Sequence, residues 1–532
     1  MDRVLIADKL APEGMAVLRH AVDAGQLQVD ERTGLKPDEL CAAIGDYDGL
    51  IVRSSSTVTG EVVDAARRLR VIGRAGIGVD NIDVAAATRR GIAVMNTPGG
   101  NNVTTAEHAI SMLLALARSI PQATASMKAG RWDKSRFTGS EVCGKVLGVV
   151  GMGNIGRLVA ERAQGLKMKV IAFDPFITGE KAQQLEVELV TFDGLLERAD
   201  FISLHTPLLP ETRNLIDAAA LAKMKPTARL INCARGGIVD EAALAKALRE
   251  KKLAGAALDV FEQEPAPADH PLLQLDSVIC TPHLGAATAE AQVAVSVAIA
   301  EQIVDFLVNN VIRSAVNMPS LSAEQLEVLR PYLDLAERLG SMQAQLLERA
   351  PTEVTVDYAG DIAARDVQPV TVAVLKGLLG RLLETSVVNF VNARELARER
   401  GIKVVESRST SPKGFTESIT VRVRTADKTS EVKGAVFGRD VIRVVRINGF
   451  YLEAVPEGFI LMLNNRDVPG VVGAVGMLLG EAKINIAGLQ LGREKVGGMA
   501  LSLVHVDERI PDAVLARLRQ LPNIVSAEML EL

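Results

Sequence analysis

The sequence is poor in cysteine, and its cysteines stand far apart. Only four occur among 532 residues, and no two of them form a Cys-x-x-Cys pair. Structural zinc sites and disulfide frameworks need cysteines at close, regular spacing, so we expect neither of them and no metal site. The four positions are Cys41, Cys143, Cys233 and Cys280.

Signals for nucleic acid, membranes or export are also scarce. The formal net charge is -5, whereas nucleic acids and membrane surfaces attract basic proteins. The chain starts with a strand-like segment, Val4–Ala7, instead of the apolar core of a signal peptide. We also expect no apolar run long enough to span a bilayer. These absences predict a cytoplasmic protein with neither a nucleic-acid nor a membrane partner.

Aromatic side chains are few as well. They make up 3% of the chain, with a single Trp, whereas apolar residues of all kinds make up 48%. A core built from small aliphatic residues favours helices packed on sheets. A length of 532 residues exceeds what one hydrophobic core supports and indicates three or four domains.

Two series of strands alternate with helical segments, which predicts an α/β protein with parallel sheets. Strand candidates at 4–7, 49–52 and 71–73 open the first series, and the second begins at Val146. A long apolar helix, Glu290–Asn309, follows the second series and suggests that the chain returns to the first domain. We therefore predict two doubly wound parallel-sheet domains, the second inserted in the first. The predicted bounds are 1–97 with 288–318 for the first domain and 98–287 for the second.

The remaining third of the chain has a different pattern. Apolar residues at helical spacing (326–339) precede an alternating strand (354–358), and Asn448-Gly449 between two apolar runs predicts a type I′ hairpin. This indicates an α+β domain over residues 319–455. Residues 456–532 then follow the ferredoxin-like order βαββαβ.

A glycine-rich turn opens the second series. The apolar run Val146–Val150 leads directly into Gly151-Met-Gly153-Asn-Ile-Gly156, a helix and a strand follow, and Asp174 ends that strand. This context is the dinucleotide fingerprint, in which the three glycines allow the turn, the approach of the pyrophosphate and close helix packing. Asp174 would accept hydrogen bonds from the ribose and repel a 2′-phosphate, so NAD is favoured over NADP. A glycine turn without a cofactor is the alternative.

Three polar residues follow three further strands of this series, and together they could oxidise a hydroxy acid. That reaction needs a base, a cation for the carboxylate and a partner that orients the base. The candidates are His283, one of only six histidines, with Arg235 and Glu264. Glu262 is a second candidate for the acid. The alternatives are an ordinary surface ion pair for Arg235 and a loop charge for Glu264.

These segments resemble the signatures of the D-isomer-specific 2-hydroxyacid dehydrogenases. The resemblance implies that Arg235 binds the substrate carboxylate and carbonyl oxygen and that His283 is the general acid/base. It also implies that Glu264 hydrogen-bonds His283 and favours its protonated form, because the family pattern places this acid immediately before Pro265. The implied fold is a Rossmann-like NAD domain inserted in a flavodoxin-like substrate domain.

The same resemblance implies a set of cofactor contacts along the strand ends, with Asp259 at the nicotinamide carboxamide. The implied NAD-binding residues are Gly151, Gly153, Asn154, Ile155, Gly156, Asp174, Thr206, Cys233, Ala234, Arg235, Asp259, His283, Gly285 and Ala286.

Two arginines of the first domain indicate the substrate. Arg53, followed by Ser54, and Arg74, followed at a short distance by Gly76, each end a strand and could hold a second anion such as phosphate. Solvated arginines are the alternative on spacing alone.

The whole chain resembles the long members of the family, which implies 3-phospho-D-glycerate and 3-phosphohydroxypyruvate as the reacting pair. Ile77 departs from the threonine that some relatives carry there, which leaves one cofactor contact in doubt. The segment Arg131–Arg136 resembles one at a subunit interface. The alternative functions are a hydroxypyruvate or glyoxylate reductase and an NAD-sensing binding protein without catalysis.

The C-terminal domain is similar to the ACT domain, which senses amino acids. The resemblance implies that Asn465, Asp467 and Asn485 contact L-serine as an effector, and that the chain forms a homo-oligomer, a tetramer by family habit. A purely structural dimerisation sheet is the alternative. Residues 319–455 resemble the intervening domain of the long members. An anion site could be formed there by Arg439, Arg443 and Arg446, but the pattern is incomplete and favours solvated strand charges.

Overall fold

Four sheets with their covering helices make up the described part of the chain, and the third and fourth sheets share a hydrophobic core through Ile460, Met462 and Leu503. The computed structural model describes residues 1–309, 311–319, 323–383, 388–410 and 417–532. The first two sheets are purely parallel, the third is mixed and the fourth is antiparallel.

The first sheet has five parallel strands with helices on its faces. The elements before the chain leaves this domain are β1 (Asp2–Ile6), α1 (Pro12–Asp23), β2 (Leu27–Glu31), α2 (Pro37–Ala43), β3 (Gly49–Val52), α3 (Gly60–Ala65), β4 (Val71–Arg74), α4 (Val84–Arg89) and β5 (Ala93–Met95). The strand order β2-β1-β3-β4-β5 is the flavodoxin-like order that was predicted. Its central strands are buried on both faces, which explains their continuous runs of Val, Ile and Leu.

The second sheet has seven parallel strands. Its elements are α5 (Asn102–Ala117), α6 (Ile120–Lys128), β6 (Val146–Val150), α7 (Asn154–Gly165), β7 (Lys169–Phe173), α8 (Gly179–Gln184), β8 (Glu188–Leu189), α9 (Phe192–Arg198), β9 (Phe201–Leu204), α10 (Ala218–Lys223), β10 (Arg229–Asn232), α11 (Glu241–Arg249), β11 (Gly255–Leu258) and β12 (Val278–Cys280). The order β12-β11-β10-β9-β6-β7-β8 reverses direction between β6 and β9. This is the Rossmann-like arrangement, which binds ligands at the carboxyl ends of the strands beside the reversal.

A long helix, α12 (Ala289–Asn309), returns the chain to the first domain. Its apolar side packs on the first sheet and on α1 through Val295, Ile299 and Ile303. The expectation that no apolar run could span a bilayer is wrong for α12, because by length and composition alone this helix passes that test. Its packing in the core of the first domain accounts for its apolar composition.

The third sheet has six strands and is covered by two long helices. The elements are α13 (Ala323–Gln345), β13 (Glu353–Ala359), α14 (Gln368–Leu382), α15 (Ala393–Glu399), β14 (Lys403–Ser409), β15 (Ser418–Arg424), β16 (Thr429–Phe437), β17 (Val441–Ile447) and β18 (Phe450–Ala454). Asn448 and Gly449, with φ angles of 46° and 90°, join β17 to β18 as the predicted hairpin.

The fourth sheet confirms the ferredoxin-like order. Its elements are β19 (Phe459–Arg466), α16 (Val471–Glu481), β20 (Ile486–Arg493), β21 (Met499–Val506), α17 (Asp512–Arg519) and β22 (Ile524–Glu531). The four strands are antiparallel in the order β20-β21-β19-β22.

Candidate active site

The three catalytic candidates follow three neighbouring strands of the second sheet. β10, β11 and β12 lie side by side, and Arg235, Glu264 and His283 lie in the segments that follow their carboxyl ends. The chain therefore brings residues from three distant segments to one edge of the sheet.

The imidazole of His283 is paired with a carboxylate. Its Nδ1 lies 2.7 Å from Oε2 of Glu264. Burial raises the pKa of Glu264, but hydrogen bonds from His283 and from the Phe261 backbone N–H more than offset it, so this pKa lies below its ordinary value. With Nδ1 donating to an ionised Glu264, Nε2 of His283 is the atom that can accept a proton from a ligand.

Glu262 takes a different position from Glu264. Its carboxylate pairs with Arg213 at 3.2 Å, and its backbone N–H donates to Glu241 at 2.7 Å. The acid beside Pro265 is therefore the one that the fold brings to His283.

Arg235 reaches across to the first domain. Its Nε donates to Oδ2 of Asp80 at 2.9 Å, and Nη1 donates to the carbonyl of Ala234 at 2.6 Å. The buried amide of Asn232 folds this turn by bonding the Arg235 carbonyl and the Ala234 N–H. Sequence reasoning missed Asp80 and Asn232. Only the position of Asp80 directly behind the Arg74 turn could have suggested a role.

The glycine-rich turn lies between β6 and α7 as the motif predicts. Gly151 has a φ angle of 92°, which favours glycine. A Cβ on Gly156 would lie 1.9 Å from the Gly151 carbonyl oxygen, so only glycine lets the helix approach the turn. A Cβ on Gly153 would meet no protein atom within 4 Å. Gly153 directly precedes Asn154 and Ile155, the first residues of α7, where free N–H groups favour a phosphate.

Two further observations fit a dinucleotide. The carboxylate of Asp174 lies at the end of β7 and bends over the glycine turn, where it accepts the Met152 and Phe176 N–H groups at 2.7 Å each. The hydroxyl of Thr206 is buried beside Gly151 and makes no hydrogen bond to any described residue. A ligand on this turn could satisfy the Thr206 hydroxyl, so the residues present fit NAD.

Asp259 is buried, and its carboxylate oxygens accept several hydrogen bonds from within the protein. Oδ1 accepts the Thr281 hydroxyl at 2.5 Å and the Leu284 N–H at 2.7 Å, and Oδ2 accepts the Gly285 N–H at 2.8 Å. Nε2 of His108, which the sequence did not single out, lies 3.2 Å from Oδ1. Asp259 thus holds the turn that carries His283, and a carboxamide contact would use its remaining lone pair. Of the other predicted contacts, Cys233 is buried after β10 and Ala286 follows Gly285 in the same turn.

The predicted arginines of the first domain lie near Arg235. Arg74 is held by Asn81, whose Oδ1 accepts its Nε at 3.1 Å. Burial, followed by the neighbouring charge of Arg235, lowers the pKa of Arg74 to about 10, and the charge of Arg53 acts in the same direction. Asn81 also bonds the Arg53 carbonyl, and the adjacent Asp80 bonds Arg235, so these two neighbours contact all three arginines. Of their neighbours, Ser54 is exposed, and a Cβ on Gly76 would lie 2.3 Å from Nη1 of Arg74.

The three polar residues predicted for the effector do not meet within one chain. Asn465 is 2% exposed, and its amide bonds Ser502 and the Arg466 carbonyl. Asp467 lies at the same end of the sheet, where it accepts Arg493 at 3.2 Å. Asn485 precedes β20 at the opposite end, where it donates to Asp507 at 2.8 Å.

The buried, hydrogen-bonded amide of Asn465 corrects the expectation that this side chain faces a ligand directly. A site that includes both Asp467 and Asn485 needs two chains.

The proposed anion site of the intervening domain does not form from its three arginines. Arg439 lies in the turn before β17, so it does not share a strand face with Arg443. Arg446 bonds Glu431 at 2.5 Å, and Arg443 lies 3.8 Å from Glu453. Arg443 and Arg446 are therefore ion-paired and less than a third exposed, which departs from the solvated strand charges that the sequence favours. The segment 131–136 is exposed throughout.

Comparison with known proteins agrees with this geometry. Family models match residues 110–285 (D-isomer specific 2-hydroxyacid dehydrogenase, NAD binding domain), 328–448 (D-3-phosphoglycerate dehydrogenase intervening domain) and 459–523 (ACT domain). The chain is 44% identical to a D-3-phosphoglycerate dehydrogenase from Synechocystis, over all of this chain and 95% of that protein. It is 40% identical to one from Bacillus subtilis, over the whole of both proteins.

Solved structures resemble the first two domains. A glyoxylate reductase from Paecilomyes thermophila has a TM-score of 0.55 and 29% identity, and covers 59% of this chain and 98% of its own. An NAD-dependent formate dehydrogenase from Staphylococcus aureus, in complex with NAD, has a TM-score of 0.55 and 30% identity over 60% of this chain and all of its own.

Proposed function

The chain belongs to the D-3-phosphoglycerate dehydrogenase family of NAD-dependent D-2-hydroxyacid dehydrogenases, and on that premise we propose the reaction that it catalyses and its control. It oxidises 3-phospho-D-glycerate to 3-phosphohydroxypyruvate with NAD as the first step of the phosphorylated route to L-serine. L-serine feeds back on this step through the ACT domain.

The placement of Arg53, Arg74 and Arg235 around one turn is the observation that carries this proposal: Asn81 bonds the Arg53 carbonyl and Nε of Arg74, and the adjacent Asp80 bonds Arg235. Burying one guanidinium beside two others is unfavourable, and the charges of Asp80 and Asp8 offset this only in part, since the pKa of Arg74 stays below its ordinary value. A substrate with a carboxylate at one end and a phosphate at the other supplies both negative charges. An unphosphorylated hydroxy acid would leave part of this positive charge unmatched.

Each side chain of the site has a separate role in the oxidation. Arg235 binds the carboxylate and polarises the oxygen on C2, and Nε2 of His283 accepts the proton of the C2 hydroxyl. Glu264 keeps Nδ1 of His283 protonated and stabilises the imidazolium that forms. NAD, when bound, supplies the hydride acceptor. Gly153 and the first turn of α7 would hold its pyrophosphate, and Asp174 its ribose.

The test follows NADH formation from 3-phospho-D-glycerate and NAD, with a reagent that traps phosphohydroxypyruvate. Wild-type enzyme should turn over, and His283→Ala should lose at least about a hundredfold in kcat, because it has lost its base. Arg74→Gln should chiefly raise KM. Turnover of glyoxylate or hydroxypyruvate in preference to the phosphorylated pair would overturn the assignment and favour the reductase.

Control by L-serine is supported by the match to the ACT domain and by the placement of its polar residues. Asp467 would pair with the ammonium group and Asn485 of the partner subunit would bond the carboxylate or hydroxyl. The proposal therefore includes a homo-oligomer in which two ACT sheets meet. Inhibition of the assay by millimolar L-serine but not by D-serine is the expected result, and insensitivity to L-serine would leave the domain structural.

A further inference from the structure

Asn81 lies between the two arginines of the first domain and bonds the segments that carry both. Its Nδ2 donates to the carbonyl of Arg53 at 2.7 Å and to that of Ser56 at 2.6 Å. Its Oδ1 accepts Nε of Arg74 at 3.1 Å. One amide therefore fixes the backbone of one arginine and the guanidinium of the other.

The turn from Arg53 to Ser56 is fixed from its other side by Asp8. This carboxylate is 4% exposed and accepts the Arg53 N–H at 2.6 Å, the Ser56 N–H at 3.1 Å and the Ser56 hydroxyl at 2.9 Å. The backbone at Arg53 is thus held at both its N–H and its carbonyl. The only direct tie between this turn and the Arg74 guanidinium, in the part of the chain that the structure describes, is Asn81.

Among the described residues, the outer nitrogens of Arg74 donate no hydrogen bond and are open to a ligand. Asn81 occupies Nε, and Gly76 lies so close to Nη1 that a Cβ there would be 2.3 Å away. Asn81 and Gly76 therefore fix the orientation of the guanidinium plane. The N–H groups of Nη1 and Nη2 point outward in parallel, which is the arrangement that binds a phosphate in a bidentate manner.

The neutrality of Asn81 matters as much as its hydrogen bonds. An aspartate at this position could accept Nε of Arg74 equally well, but its charge would neutralise the guanidinium and it could not donate to the two carbonyls. An amide orients the arginine and leaves its positive charge available to a dianion. Asp80, the preceding residue, pairs with Arg235 at 2.9 Å, and its charge only partly offsets the effects that lower the pKa of Arg74.

We infer that Asn81 is a positioning residue that sets the preference for a phosphorylated over an unphosphorylated substrate, by holding Arg53 and Arg74 as one phosphate-binding pair. This inference rests on the proposed function. Because a mere structural defect would lower activity towards both substrates alike, the ratio between the two is the informative quantity.

The experiment measures NADH-dependent reduction of 3-phosphohydroxypyruvate and of hydroxypyruvate by wild type, Asn81→Ala and Asn81→Asp. The ratio of the two kcat/KM values should fall at least about tenfold in both variants, through KM for the phosphorylated substrate. Activity with hydroxypyruvate should stay within about threefold of wild type. NADH affinity, read from its fluorescence, should be unchanged and shows that the variants are folded.

Asn317→Ala is the matched control. Asn317 belongs to the same domain and also makes three hydrogen bonds, to Val94, Thr88 and Ile92, but it bonds none of the three arginines. Its variant should lose thermal stability and keep the substrate ratio.

An unchanged ratio in the Asn81 variants would overturn the inference, whether both activities stay at the wild-type level or fall equally while NADH binding stays normal. A wild-type enzyme that does not prefer the phosphorylated substrate would instead refute the proposed function, and the inference with it. The wild-type ratio therefore separates failure of the function from failure of Asn81.

Discussion

At the residue scale, the pairing of His283 with Glu264 predicts how the rate of oxidation depends on the carboxylate. The pKa of Glu264 lies below its ordinary value, so this carboxylate is ionised throughout the working range. An ionised Glu264 accepts the hydrogen bond from Nδ1 of His283 and leaves Nε2 to accept the substrate proton.

Glu264→Gln should therefore reduce kcat for hydroxy-acid oxidation about tenfold to a hundredfold. The variant keeps the size of the side chain but removes the anion that stabilises positive charge on the imidazole as it accepts the proton. Steady-state oxidation at saturating substrate measures the effect. Glu262→Gln is the control, since that carboxylate pairs with Arg213, and its kcat should match wild type. An unchanged kcat in Glu264→Gln would refute the role given to the pair.

A second histidine predicts an effect on stability. Burial lowers the pKa of His205 to about 4 from the ordinary 6.5. Between these two values the unfolded chain binds a proton that the folded chain does not, so the contribution of neutral His205 is complete above pH 6.5 and lost as the pH falls towards 4.

His205→Gln should therefore show a smaller loss of unfolding free energy between pH 7.5 and 5, by up to about 2 kcal/mol. Denaturant titrations at the two pH values measure this difference. His20→Gln, at an exposed position on α1, is the control and should lose as much as wild type. An equal loss in the His205 variant would contradict the burial argument.

The role of an individual residue could be predicted from the sequence only where that residue belongs to a recognised motif. His283 and Glu264 follow strands in a recognisable order, and the fold brings them into contact. Asp80, Asn81 and Asn232 act by bonding residues that fold to them from other segments, and short polar side chains carry no local pattern that shows such bonds. The partners of Asp259 were missed for the same reason.

At the scale of elements, the turn between β6 and α7 contains glycines with two different roles, one in packing and one in cofactor binding. Gly156 lets the helix pack against the turn, since a Cβ there would lie 1.9 Å from a backbone oxygen, whereas Gly153 has no protein atom close by. Gly156→Ala should therefore weaken both folding and NAD binding, and Gly153→Ala should weaken NAD binding at least about tenfold with little change in stability.

Thermal unfolding, with and without NAD, measures both quantities. Gly165→Ala, at the end of the same helix and with open space around it, is the matched control and should keep both NAD affinity and stability. Normal NAD affinity in Gly153→Ala would remove this turn from the pyrophosphate site.

Elements were predictable where their periodicity is strong. The alternation of short apolar strands with helices predicted both parallel sheets, and Asn448-Gly449 predicted its hairpin from turn chemistry alone. The predominantly apolar α12 shows the limit, because length and composition do not distinguish a core helix from a membrane span. Only its packing against the first sheet does so.

At the scale of the whole molecule, the ACT domain shows why the effector site could not be read from one chain. Asp467 and Asn485 lie at opposite ends of β20, whose seven steps from Ile486 to Arg493 extend about 24 Å. No amino acid bridges that distance. Two antiparallel copies of the sheet would bring Asp467 of one subunit to Asn485 of the other.

This arrangement predicts complementation between inactive regulatory variants. Asp467→Ala and Asn485→Ala should each abolish inhibition by L-serine while leaving catalysis intact, because both side chains lie in the fourth domain. In a mixed dimer of the two variants, one of the two effector sites contains both substitutions and the other contains none. Co-expression with two affinity tags, followed by tandem purification, isolates the mixed dimer. Serine binding at half the wild-type stoichiometry is the expected calorimetric result, with inhibition partly restored.

If the mixed dimer binds no serine, the site does not join Asp467 of one subunit to Asn485 of another. If Asn485→Ala alone stays fully sensitive, the effector is held by a single chain at the Asp467 end of the sheet.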